Sequence, residues 1–172
     1  MKECLNNEGE YGKYILQELV LPAVHATPDA IAKYEKAGRK RILWMDGSVL
    51  PAPFQINTAW YYSANHEYMD KWAVEEGEKG MIGKPHVHDV DELLCFYGSD
   101  PYNPYDLGGE VEIWLEGEKH ILTKSSLILI PTGVLHLPLY VNKVDKPIFH
   151  FSLLLDREYG FKCENGEIFK AN

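Results

Sequence analysis

The chain has 172 residues and a formal net charge of −9 at pH 7, with 45% hydrophobic and 25% charged residues. That length fits one domain able to bury a sizeable core, and the acidic balance argues against nucleic acid and anionic membrane as partners. Three cysteines without CxxC spacing, no apolar leader in "MKECLNNEGEYGKY", and no apolar run near the roughly 18 residues of a membrane span point to a reduced, cytoplasmic protein with no membrane partner.

The first element in chain order is a helix near 28–37. Thr27 reads as its N-cap, Pro28 suits the first helical position, Asp29 the first turn, and Gly38 the residue just past the end. Basic "RKR" at 39–41 then leads into "ILWMD", read as the first strand. Aromatic-rich "PFQINTAWYYSA" is extended. "SDPYNPYDLGG", with two prolines, reads as a loop near 99–109. "GEVEIWL" alternates, with Val111, Ile113 and Leu115 on one face, and "EGEK" turns it into "HILT". The carboxylates of this stretch read as a solvated face. "SLILIP" is a continuous apolar run, consistent with a buried strand, and "KPIFHFSLLLD" is another strand. "FKCENGEIFK" is a hairpin around Asn165-Gly166.

Many short strands after one early helix predict a mainly β, antiparallel barrel or sandwich. The expected organisation is an N-terminal extension at 1–40, a barrel at 41–156 and a C-terminal hairpin at 157–172.

The chemistry concentrates in "GMIGKPHVHDVDELLCFYG". Residues i and i+2 of a strand share a face, so His86 and His88 project together, and Lys84 has the same parity. Glu92 follows across "DVD" and can return on the neighbouring strand. Two imidazoles and a carboxylate are a common divalent-metal set. Downstream, "IPTGVLHLPLY" offers His136 as a further ligand, after a strand-ending Pro131 and a turn-forming Gly133.

These stretches resemble the two sequence motifs of the cupin superfamily. Gly80, His86, His88 and Glu92 match the first motif, with Gly98 one residue early for its closing glycine. Pro131, Gly133 and His136 match the core of the second. Ser125 stands where that motif has a glycine, and Tyr140 where it has an asparagine. The resemblance implies a small antiparallel jelly-roll barrel of the RmlC-like, single-domain kind. It also implies one divalent metal ion (Zn, Mn, Fe, Ni or Co) held by His86, His88, Glu92 and His136.

Other candidates carry two readings each. Lys84 is either a partner for an anionic substrate or an exposed strand-end lysine. His150, on the face of Ile148, Ser152 and Leu154, is either an acid–base group in the pocket or a structural histidine. Trp60 and Tyr62 share parity and would either line a substrate pocket or pack the core, with Gln55 and Asn57 as weaker candidates. The expected function is that of an enzyme of the lyase, hydrolase or isomerase kind. It would act on a small oxo compound (a keto acid, β-dicarbonyl or sugar acid) by polarising a carbonyl. An Fe(II) dioxygenase and a non-catalytic small-ligand binder are the alternatives, and a homodimer is the expected assembly.

Overall fold

The computed structural model describes residues 7–22, 25–66, 84–163, 166 and 168–170. Gly80 and Cys4 lie outside them. The chain opens with a 3-10 turn at Gly12–Tyr14 and the helix α1, Pro28–Lys36. Thr27 caps α1 as expected, its hydroxyl accepting from the Ala30 amide at 3.2 Å. Gly38 follows at φ +63°, a conformation that costs glycine nothing.

Eleven strands follow among the described residues: β1 Arg39–Met45, β2 Gln55–Tyr61, β3 His86–Val87, β4 Glu92–Gly98, β5 Asp106–Leu115, β6 Glu118–Lys124, β7 Ser126–Ile130, β8 His136–Val144, β9 Ile148–Leu154, β10 Gly160–Cys163 and β11 Ile168–Lys170. They form two antiparallel sheets. One has the order β1-β2-β9-β4-β7 and the other β11-β10-β3-β8-β5-β6. Neighbours far apart in sequence, such as β2 beside β9 and β3 beside β8, give the jelly-roll architecture that the motifs imply.

The core between the sheets is built from Tyr61, Leu94, Phe96, Leu107, Val111, Ile113, Ile130, Val141 and Ile148. Each such side chain contributes about 1.5–3 kcal/mol on burial. Gly98 ends β4 where a Cβ would collide with the Asp106 carbonyl, which explains a glycine there. Ser125, in the place of a motif glycine, ties two loops together: its Oγ accepts from the Gly98 amide and donates to the Pro104 carbonyl.

Several expectations change. β1 begins at Arg39, so the basic "RKR" lies inside the strand rather than ahead of it. The loop after β4 is shorter than expected, because Asp106–Gly109 already belong to β5 around a bulge. Glu112 is not solvated. It is covered by Trp114 Nε1 at 2.7 Å and by Lys119 Nζ at 3.0 Å, with the Asn142 amide also in contact.

β7 is an edge strand, not a doubly buried one, with Leu127 59% and Leu129 63% exposed on the outer face of its sheet. The C-terminal hairpin extends the six-stranded sheet, β10 pairing with β3 through Lys162↔Val87 and Cys163↔His86. Asn165, at the expected turn, lies outside the described residues.

Candidate metal centre

The two motif turns are stitched together before any histidine is placed. The Gly133 amide donates to the His88 carbonyl at 3.0 Å, and the Thr132 amide and hydroxyl both donate to Asp91 Oδ1. Gly133 sits at φ +80°, so the turn needs a residue free to enter the left-handed region. β8 starts three residues later, with His136 directly opposite His86 of β3. The 50-residue gap in sequence therefore closes to a single cross-strand pair.

His86, His88 and His136 are all buried, and one nitrogen from each lies within 4.8 Å of the others. Their orientation is fixed from behind. His86 Nδ1 donates to the Lys84 carbonyl at 2.8 Å, His88 Nδ1 to the Gly160 carbonyl at 2.6 Å, and His136 Nδ1 to the Val134 carbonyl at 3.0 Å. A carbonyl oxygen only accepts, so each Nδ1 carries the hydrogen, and in the neutral tautomer that leaves Nε2 as the bare nitrogen. This is the backing that metal-ligating histidines ordinarily have. Phe161, from the C-terminal hairpin, packs its ring 4.5 Å from that of His86.

Glu92 completes the group. Its Oε2 lies 3.1 Å from His136 Nε2 and 3.4 Å from His88 Nε2, yet neither imidazole nitrogen makes a hydrogen bond of proper geometry. Burial works to raise the Glu92 carboxyl; the facing His136 and His88, when protonated, outweigh it and hold it at about 2. Burial, then His136, lowers His86 to about 3, so its ring is neutral. A carboxylate facing bare imidazole nitrogens sets lone pair against lone pair. Such a buried arrangement is unfavourable unless a cation sits among the donors. A proton relieves one pair at a time; a divalent ion satisfies the whole set, and three imidazoles with a carboxylate are a donor set it accepts. The residues therefore fit a metal ion.

The remaining candidates fall elsewhere. Lys84 contributes its carbonyl to His86, and its side chain is partly buried. His150 is buried on β9, donating from Nδ1 to the Cys95 carbonyl at 2.9 Å and stacking on Phe96 at 4.6 Å. Its row in the sheet contains Ala59 and Phe96, four residues along β4 from the row of Glu92. That separation is about 13 Å along a strand. Burial, then Arg39, lowers it to about 3.

Trp60 and Tyr62 do not face the interior. Trp60 packs edge-on against Phe149 of the outer face, and Tyr62 is 49% exposed, its hydroxyl donating to the Glu35 carbonyl at 2.8 Å. The inward face of β2 is the alternate set, Gln55, Asn57, Ala59 and Tyr61.

The sequence reading also missed Arg39, Arg41 and Tyr159. Tyr159 lies with its ring 5.9 Å from that of His88, and partial burial, then Glu92, raises its hydroxyl. Arg39 and Arg41 face inward opposite Tyr61 and Ala59. A bulge between Arg41 and Leu43 lets Arg41 and Trp44, three residues apart, share that face. No strict alternation in the sequence signals such a bulge.

No protein-family model and no curated protein matches the sequence. Solved structures do. An oxalate oxidase in complex with glycolate is 12% identical over 88% of this chain and 63% of its own, with a TM-score of 0.48. A cupin-superfamily sugar phosphate isomerase from Silicibacter pomeroyi is 12% identical over 80% of this chain and 79% of its own, at 0.44. KdgF from Halomonas sp. is 17% identical over 69% and 78%, at 0.37. The chain thus spans less than two thirds of the oxalate oxidase. At such identities the likeness concerns the path of the chain and not its chemistry.

Proposed function

We propose that this metal-binding cupin-type barrel is an enzyme of the lyase, hydrolase or isomerase kind, acting on a small oxo compound such as a keto acid, β-dicarbonyl or sugar acid. One observation carries the reading: three buried imidazoles commit every Nδ1 to a backbone carbonyl and turn every Nε2, with Glu92, toward one another. His86, His88, Glu92 and His136 would hold the ion. When bound, it supplies a Lewis acid able to polarise a carbonyl oxygen.

The chain's own groups supply the rest. Phe161 and Tyr159 wall the cluster with aromatic surface and keep water from it. Gln55 lies in the same cross-strand row as Glu92, fully buried, and neither its amide nitrogen nor its oxygen has a partner among the described residues. It is a donor and an acceptor in reserve for a polar ligand.

Elemental analysis of protein purified without chelators tests the reading, followed by activity screening with the metal found. About one ion per chain is expected, with His136→Ala losing metal and activity together while the circular dichroism of the barrel is kept. A His136→Ala protein that binds metal as tightly as the parent would overturn the four-residue assignment.

A further inference from the structure

We propose that Arg39 and Arg41 form a carboxylate-binding subsite in the barrel interior, so that the substrate is an oxo acid with its carboxylate on the arginine pair and its oxo end toward the histidine cluster. The oxo end rests on the metal reading above; the arginine subsite stands on separate contacts.

Both side chains arise from the inward face of β1. The Arg41 guanidinium carbon lies 3.8 Å from the centroid of the Tyr34 ring and 5.2 Å from that of Trp44. The Arg39 carbon lies 5.5 Å from the centroids of both Tyr34 and Tyr61. Three aromatic rings therefore crowd the two cations. Nε of Arg39 and both Nε and Nη1 of Arg41 are buried without a hydrogen-bond acceptor among the described residues. Among the described residues no carboxylate pairs with either arginine; the ion pairs present belong to other side chains.

A guanidinium does not shed its proton to escape such a position. Side by side, and with donors unmatched among the described residues, the two cations form a site that an oxyanion from outside the chain would neutralise. In a slot walled by rings, planar guanidinium donors match a flat carboxylate better than a tetrahedral phosphate. The buried carboxylate of these surroundings, Asp46, is committed to Trp44 Nε1 at 2.8 Å and to Ser48 and Val49, and burial, then Arg41, lowers His25 to about 4, so the histidine beside Trp44 is neutral.

A chain of ring contacts links the subsite to the histidine cluster. Trp44 is 6.0 Å from the Tyr159 ring, which is 5.9 Å from His88, so two aromatic rings separate Arg41 from the cluster. Asn57, its Oδ1 unpartnered among the described residues, stands on the β2 row between the Arg41 row and the row that Gln55 shares with Glu92. Such a lining suits an oxygenated chain rather than an apolar one. Lys84 is not needed as the anion reader.

Calorimetric titration of the metal-loaded full chain with 4-oxopentanoate, its methyl ester and inorganic phosphate tests the proposal. This acid spaces its oxo and carboxylate groups too far apart to chelate one ion well. The acid is expected to bind at least tenfold tighter than the ester or phosphate, and Arg39→Gln and Arg41→Gln are each expected to weaken it at least tenfold with metal content unchanged. Melting temperatures of the two variants should hold or rise, since an uncompensated charge is removed. Equal binding of acid and ester, tighter binding of phosphate, no binding of any probe, or parent-like binding by both variants would each overturn the subsite while leaving the metal assignment standing. A marked fall in both melting temperatures would also overturn it, by making the arginines structural. His136→Ala separates the two ideas from the other side: it should lose metal and still bind the acid more tightly than the ester.

Discussion

His150 shows how one residue can satisfy the description of a catalytic group and have another use. It is a buried, inward-facing histidine in a barrel with a candidate metal centre, which is what an acid–base role asks for. Its donor, however, is committed to the Cys95 carbonyl, and its ring is stacked on Phe96 and tilted against Tyr61. These contacts hold β9 to β4, while burial, then Arg39, keeps the ring neutral. His150→Leu should therefore cost about 1–3 kcal/mol, the penalty of leaving a buried carbonyl without its donor, and leave metal stoichiometry untouched. Urea denaturation with parallel metal analysis measures both. A variant of parent stability with impaired turnover would return His150 to the chemistry.

At the scale of elements, the turn between β7 and β8 does the most for the site. Pro131 ends the strand, Gly133 reverses the chain at positive φ and bonds to His88, and His136 emerges opposite His86. No atom lies within 4 Å of a Cβ built on Gly133, so a methyl group there meets only backbone strain. Gly133→Ala is expected to destabilise by about 1–2 kcal/mol and to weaken metal binding more than it weakens the fold. The comparison of metal titrations with thermal melts tests this; metal affinity equal to the parent's would show that the turn does not position His136.

This turn was legible because proline, glycine and histidine stand at fixed spacing and their chemistry is local. The helix was legible for the same reason. The inward face of β2 was not, because the outer face of its sheet is as apolar as the inner one: Trp60, Phe149, Phe151, Leu153, Leu127 and Leu129 read like core. Only pairing with β9, some ninety residues away, settles which alternate set faces inward. Arg39 and Arg41 were hidden twice, by charge that reads as surface and by a bulge that breaks the alternation.

For the whole molecule, the buried histidines outside the metal cluster make stability depend on pH. His25 is lowered to about 4 by burial, then Arg41, and His150 to about 3 by burial, then Arg39. In the unfolded chain both return to about 6.5. Between those values the unfolded chain binds protons that the folded chain does not, so stability rises with pH across that window and falls as pH drops from about 6.5 toward 4. Above about 6.5 both states are neutral and these groups contribute no slope. Glu92, held at about 2, stabilises the fold above its ordinary value near 4.5, and that contribution is lost only as pH falls toward 2. The metal-free protein should therefore keep a level urea midpoint from pH 8 to 7 and lose it progressively below about 6.5, while a His150→Phe variant falls less steeply. Divalent metal at one hundred times its dissociation constant should add about 2.7 kcal/mol at neutral pH. The expected record is thus two curves, well separated at pH 7 and converging as protons displace the ion from the histidines in acid. A metal-free midpoint that stays level from pH 7.5 to 4.5 would mean that the barrel admits solvent to His25 and His150, and with it to the interior on which the arginine subsite depends.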